Sequence, residues 1–191
     1  MYKMGEIVVT RERIRVMIRR LADRINVDYA GKELMLVGVL KGAMIFLADL
    51  CRELKIPVII DFIIVSSYGI ETKTSGVVLL RKDIDTDISG KHVLIVEDII
   101  DTGVTMNYLK SLFSSRNPAS FKICAAFDKP SRRVVDLTPD YCGIKLEDQF
   151  VVGYGLDFAG MYRNLPDVRV LSESEEPPEE PDDEYVDAKG E

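Results

Sequence analysis

Apolar residues recur at Ile14, Met17, Ile18, Leu21 and Ile25, one face of a helix, behind a Thr10 suited to capping its first turn. The spacing predicts a helix over residues 10–26. Further on the pattern changes to strongly apolar strand-like segments: the continuous run LMLVGVL at 34–40, then VIIDFIIVSS at 58–67, HVLIVE at 92–97 and FKICAAF at 121–127. Such runs suit strands buried on both faces, as in a parallel sheet. Helical patterns fall between them, from Gly42 to about Leu54 and from Val104 to about Ser115. Shorter strands are expected at 77–81, 150–154 and 168–171, and a polar loop with Gly69 and Gly76 at 67–76. Strands alternating with helices predict an α/β fold with a largely parallel central sheet flanked by helices. Ligands then bind at the carboxyl ends of the strands.

At 191 residues the chain fits one domain with a substantial core. No apolar run approaches the ~18 residues of a membrane span, and residues 1–13 lack a signal core, so a cytoplasmic location without membrane partners is expected. Cys51, Cys124 and Cys142 are odd in number and widely spaced, which suits core residues rather than a disulfide or zinc framework. His92 is the single histidine and opens an apolar run, so acid–base chemistry falls to carboxylates, Lys or Tyr.

Charge divides the chain. The net charge is −7, but residues 173–191 hold ten acidic residues against one Lys, and removing that −9 leaves +2 for residues 1–172. The expected organisation is one domain over 1–172 and an acidic, Pro-rich disordered tail over 173–191. The body has no long basic run, which argues against a nucleic-acid surface.

The most informative segment is VLIVEDIIDTGVTM, residues 93–106. An apolar strand delivers two adjacent carboxylates, Glu97 and Asp98, to the edge of the sheet. Asp101, Thr102, Gly103, Val104 and Thr105 then form a loop ending at a helix start. Unpaired N–H groups and the helix dipole at such a place cradle a phosphate. Gly103 lets backbone approach the ligand, and Thr102 and Thr105 add hydroxyl donors. Two acids beside a phosphate make sense if they hold sugar hydroxyls or a metal that accompanies the phosphates.

This run resembles the ribose-phosphate motif of type I phosphoribosyltransferases, and three more segments resemble their hypoxanthine-guanine branch. The resemblance covers roughly residues 8–171 and implies the family fold, with a small hood formed by the chain ends. It implies that Glu97 and Asp98 hold the ribose hydroxyls of phosphoribosyl pyrophosphate and that Asp101 to Thr105 bind its 5′-phosphate. Val104 departs from the polar or basic residue common in relatives, which matters little where backbone N–H groups do the binding. Lys41 and Gly42 match the branch's pyrophosphate loop, in which the Leu40-Lys41 bond of relatives can be cis. Lys129 in FDKP corresponds to the lysine that meets the purine 6-oxo group. An ammonium donor there favours a 6-oxo acceptor over a 6-amino donor. In DQFVVGYGLDFAGMYR, residues 148–163, Phe150 is implied to stack on the purine and Val151 to meet its edge. Asp157, at the same site, is implied to help hold magnesium pyrophosphate, and Arg163 to contact pyrophosphate. Ser66, Ser67, Tyr68 and Gly69 resemble the start of the branch's mobile lid.

The implied activity is purine salvage: hypoxanthine or guanine displaces pyrophosphate at ribose C1, giving IMP or GMP. Asp101 is implied as the general base, and Mg²⁺ as the cofactor, with Glu97, Asp98 and Asp157 as its candidate carboxylates. A homodimer or homotetramer is expected by resemblance alone. The competing readings are a transferase for another base, a regulator that keeps the fold to sense nucleotides or bind RNA, and an interaction protein led by its acidic tail.

Overall fold

The computed structural model describes residues 2–67 and 78–173. The lid residues Tyr68 and Gly69 and the acidic tail beyond residue 173 lie outside them, and of Ser67 only the backbone is described.

Six strands form the main sheet: β2 (Leu34–Leu40), β3 (Val58–Ser67), β4 (Val78–Lys82), β5 (His92–Ile100), β6 (Ser120–Asp128) and β7 (Tyr141–Lys145), in the order β4-β3-β2-β5-β6-β7. All neighbours run parallel except β4, which returns antiparallel against β3. Helices α1 (Arg11–Asp28) and α2 (Met44–Glu53) share one core with one face of this sheet, and α3 (Val104–Ser114) shares a second core with the other. The alternation along the strands divides the two. Leu34, Leu36, Leu94 and Val96 join Ile14, Leu21 and Phe46 in the first core. Met35, Val37, Val93 and Ile95 join Leu109 and Phe113 in the second. Each fully buried side chain of this kind stabilises by roughly 1.5–3 kcal/mol relative to exposure. Doubly covered strands need apolar residues on both faces, which is why these segments read as unbroken runs.

α1 begins as its sequence predicts, with Thr10 Oγ1 accepting a bond from the Arg13 N–H at 3.3 Å. It also reaches the edge strand β7. Arg20 donates to the carbonyl oxygens of Gly143 at 2.6 Å and Cys142 at 3.4 Å, and Arg24 to that of Asp140 at 3.4 Å.

A second sheet is the hood implied by resemblance: β1 (Tyr2–Val9), β8 (Val151–Val152) and β9 (Val168–Glu173), antiparallel in the order β1-β9-β8. Three features differ from the sequence reading. β1 was not foreseen, because its mixture of Gly5, Glu6 and apolar residues lies on a largely exposed surface with two register shifts. β7 is short and contains Gly143, so it carries no run. Phe150 precedes β8 rather than opening it.

No helix among the described residues is long and apolar enough to cross a membrane. Cys124 is buried and Cys51 and Cys142 half-buried, all free thiols, and burial pushes the Cys124 and Cys142 thiols up. His92 has a structural place, its Nδ1 2.7 Å from Ser120 Oγ and its ring edge-on to Tyr29.

Candidate active site

Parallel strands end on one side, so β2, β5 and β6 deliver Lys41, Glu97 to Thr105 and Lys129 to a common edge. The chain passes from β5 to α3 through Gly103, which stands at the helix N-cap in the left-handed region (φ 84°). No side chain caps this helix. Asp101 and Thr102, the obvious capping candidates, leave the first-turn N–H groups to a ligand, which is the chemistry of an anion cradle.

The cradle is braced from behind by residues that carry no motif. Arg133 donates to the Asp101 carbonyl, to the Leu137 carbonyl at 3.0 Å and to the Asp128 carboxylate, with which it forms a buried ion pair. The Val134 N–H reaches the Thr102 carbonyl at 3.1 Å. Arg132 Nε lies 3.0 Å from Asp101 Oδ1, while its Nη1 lies 3.6 Å from Asp148 Oδ1. An arginine just after FDKP was visible in the sequence, but its partner lies some thirty residues away and no local spacing connects them.

Glu97 and Asp98 form a tightly coupled pair. Glu97 Oε2 is buried with no hydrogen-bond partner. Burial first, and the Asp98 charge second, raise Glu97 well above the usual carboxylate range. Burial raises Asp98 as well, against the Glu97 hydrogen bond, the Ile99 N–H at 2.9 Å and the Arg163 charge. A buried carboxylate oxygen without a donor is suited to a sugar hydroxyl or a hard cation. Among the described residues no group of three or more His, Cys, Asp or Glu could hold a metal. A divalent ion would therefore complete its shell with ligand oxygens, and Mg²⁺ is commonly held by one or two carboxylates plus substrate phosphates.

The loop after β2 meets this pair directly. The Leu40-Lys41 peptide is cis. An added Cβ on Gly42 would fall on the Asp98 carboxylate, and one on Gly155 would lie 2.3 Å from the Gly42 carbonyl oxygen. Strand ends and hood are thus stacked with no room for side chains between them. Arg163 donates to the Gly155 carbonyl at 2.5 Å and pairs with Asp157 at 2.6 Å, and the other Asp157 oxygen accepts the Gly160 N–H at 2.8 Å. The Tyr154 hydroxyl donates to Asp49 at 2.8 Å, fastening the segment after β8 to α2.

Lys129 follows β6, its N–H bonded to the Ile100 carbonyl at 2.9 Å. It is only 7% exposed, and its ammonium donates to the Gln149 carbonyl. Burial lowers its pKa, opposed by the charges of Asp101 and Asp148. Next to Gln149 in the chain, Phe150 is 52% exposed and meets Phe158 edge-on at 5.8 Å. Val151 is buried. The site therefore brings together Lys41, Gly42, Glu97, Asp98, Asp101 to Thr105 and Lys129 at the strand ends, with Asp157 and Arg163 joined to them through Gly155. Ser66 lies at the end of β3, its hydroxyl 3.2 Å from Arg81 Nε.

Residues 6–159 match the family model described as the phosphoribosyl transferase domain. The hypoxanthine-guanine phosphoribosyltransferase of Streptococcus mutans is 46% identical over 168 residues, which is 88% of this chain and 93% of that protein. The hypoxanthine phosphoribosyltransferase of Salmonella typhimurium is 46% identical over 163 residues, 84% of this chain and 92% of the other. Among solved structures, a hypoxanthine-guanine phosphoribosyltransferase from Bacillus anthracis superposes with a TM-score of 0.85 at 43% identity, covering 91% of this chain and all of that one. With a family model matched over most of the chain and relatives 46% identical over 84–88% of it, this protein belongs to the phosphoribosyltransferase family, in its hypoxanthine-guanine branch.

Proposed function

We propose that the protein is a purine-salvage transferase of the cytoplasm that joins hypoxanthine or guanine to phosphoribosyl pyrophosphate. The observation that carries this reading is the buried Lys129 ammonium, held by β6 beside the β5 phosphate cradle and donating to a carbonyl. A cation kept from water at the edge of an anion cradle selects an acceptor such as a 6-oxo group. A 6-amino group at the same point offers a donor to a donor.

In this reading the N–H groups of Asp101 to Thr105 hold the 5′-phosphate, and Glu97 and Asp98 orient the ribose hydroxyls. Lys41, Gly42 and Arg163 receive the pyrophosphate, Phe150 stacks on the purine, and Val151 meets its edge. A purine ring nitrogen forms the new bond to ribose C1 as the bond from C1 to pyrophosphate oxygen breaks. The proton of the base passes to the Asp101 carboxylate, which the Arg132 guanidinium holds in place. Lys41 and Arg163 stabilise the charge gathering on the leaving group. Of the candidate carboxylates, Glu97 and Asp98 would hold Mg²⁺ together with diphosphate oxygens, Asp157 being taken up by Arg163 and the Gly160 N–H, and the ion when bound neutralises the diphosphate. Fixing both substrates at one edge contributes further rate enhancement. A homodimer or homotetramer is the expected assembly, measurable by light scattering.

The test is product formation from phosphoribosyl pyrophosphate and Mg²⁺ with hypoxanthine, guanine, xanthine or adenine, for the native chain and for Asp101→Asn. Transfer to 6-oxopurines and not to adenine, with a rate loss of about 10²–10⁴ in the variant, is expected. Equal use of adenine would overturn the role of Lys129. An unimpaired Asp101→Asn would remove Asp101 as the base.

A further inference from the structure

We infer that Tyr2, at the start of the hood's first strand, is a positioning residue for the purine platform and acts through Phe158. The inference rests on the reading of Phe150 as the ring on which the purine stacks.

Phe150 is more than half exposed, and an exposed ring on a connecting segment is free to turn about its side-chain bonds unless something meets it. What meets it is the Phe158 ring, in a T-shaped contact with ring planes at 90°. Phe158 in turn lies against Tyr2, the ring centroids 4.2 Å apart and the planes at 50°. The three rings make a continuous row from the beginning of the chain to the base site.

The backbone closes the same circuit. β9 pairs with β1, setting Leu171 opposite Met4 and Glu173 opposite Tyr2. The Leu171 N–H also donates to the Phe150 carbonyl at 2.9 Å. One strand therefore fixes the main chain at both ends of the row. Phe158 is held by its own bridge, its N–H to the Met161 carbonyl at 3.2 Å and the Met161 N–H back at 2.9 Å. It follows Asp157, the partner of Arg163. With frame and bridge fixed, the Tyr2 ring is the second ring packed against Phe158. Taking it away frees Phe158 to swing back and Phe150 to follow.

The rings of the row reach the base, and their one link to the groups placed around the sugar donor is the chain bond from Phe158 to Asp157, whose backbone the Phe158–Met161 bridge holds, so the effect should fall on the purine. Steady-state kinetics of Tyr2→Ala, Tyr2→Phe and Phe150→Ala would test this on the full chain. Aromatic pair energies predict that Tyr2→Ala raises KM for hypoxanthine and guanine about three- to tenfold. KM for phosphoribosyl pyrophosphate and kcat should stay at their native values. Tyr2→Phe, which keeps the ring, should restore the native purine KM. An unchanged purine KM in Tyr2→Ala, or an equal rise for both substrates, would overturn the inference. If Phe150→Ala raises the purine KM and Tyr2→Ala does not, the Tyr2 role alone fails. If Phe150→Ala has no effect, the stacking platform fails with it.

Discussion

Gly42 and Asp98 stand so close that a Cβ on the glycine would lie 1.8 Å from Oδ2 of the aspartate. The loop that follows β2 is therefore shaped against a carboxylate at the end of β5, and neither can move without the other. Gly42→Ala must push the loop outward or turn Asp98 from its bond with Ile99. A misplacement of this kind should lower kcat/KM for phosphoribosyl pyrophosphate by roughly ten- to a hundredfold. Overpacking at a tight site should destabilise the fold by about 1–3 kcal/mol. Kinetics alongside a thermal melt would check both, and native-like kinetics would show that the loop has room to yield.

Arg133 should matter for folding as much as for the site. Its removal as Arg133→Leu leaves Asp128 buried without its cation and frees the Asp101 and Leu137 carbonyls. Breaking a buried pair in this way costs about 3–5 kcal/mol. In a domain of this size that is a fall in Tm of roughly 6–20 °C. Adding Asp128→Leu should recover part of the loss, because no lone charge then remains. A double variant as unstable as the single one would show that the carbonyl contacts dominate.

Lys129 should titrate below the surface lysines. In an NMR titration of lysine labelled at Cε, its midpoint should fall below the ordinary value of about 10.4. Burial penalises the charged form, and Asp101 and Asp148 only partly oppose it. The sign for stability follows. Between the lowered folded value and the ordinary unfolded one, the unfolded chain binds more protons, so this group's contribution to stability rises with pH across that window. A midpoint equal to those of exposed lysines would mean that water reaches the ammonium.

Much of this molecule is legible in its residues because its central strands are covered twice. LMLVGVL and HVLIVE can only be buried, and the carboxylate pair that follows HVLIV falls near the carboxyl end of its strand, where Asp98 is itself buried. The turn into α3 could be read for the same local reason: Gly103, two threonines and a helix start lie within a few positions. β1 stayed hidden because it is half-exposed and broken in register, so it shows neither alternation nor a run. The bracing of the cradle by Arg132 and Arg133, the pairing of Asp157 with Arg163 and the row Tyr2–Phe158–Phe150 are contacts made by folding. Side chains far apart in sequence leave no spacing to find.

The arginines of α1 that hold the carbonyls of residues 140, 142 and 143 have a consequence for how copies of this chain meet. A terminal strand offers its outer backbone to any extended chain that arrives, and fibre-like growth begins from such encounters. Here guanidinium groups from α1 already lie on backbone carbonyls of β7 and of the residue before it. Copies of the chain would then meet through helices or hood rather than by lengthening the sheet past β7. Resistance to that growth on this side resides in a helix that takes no part in the chemistry.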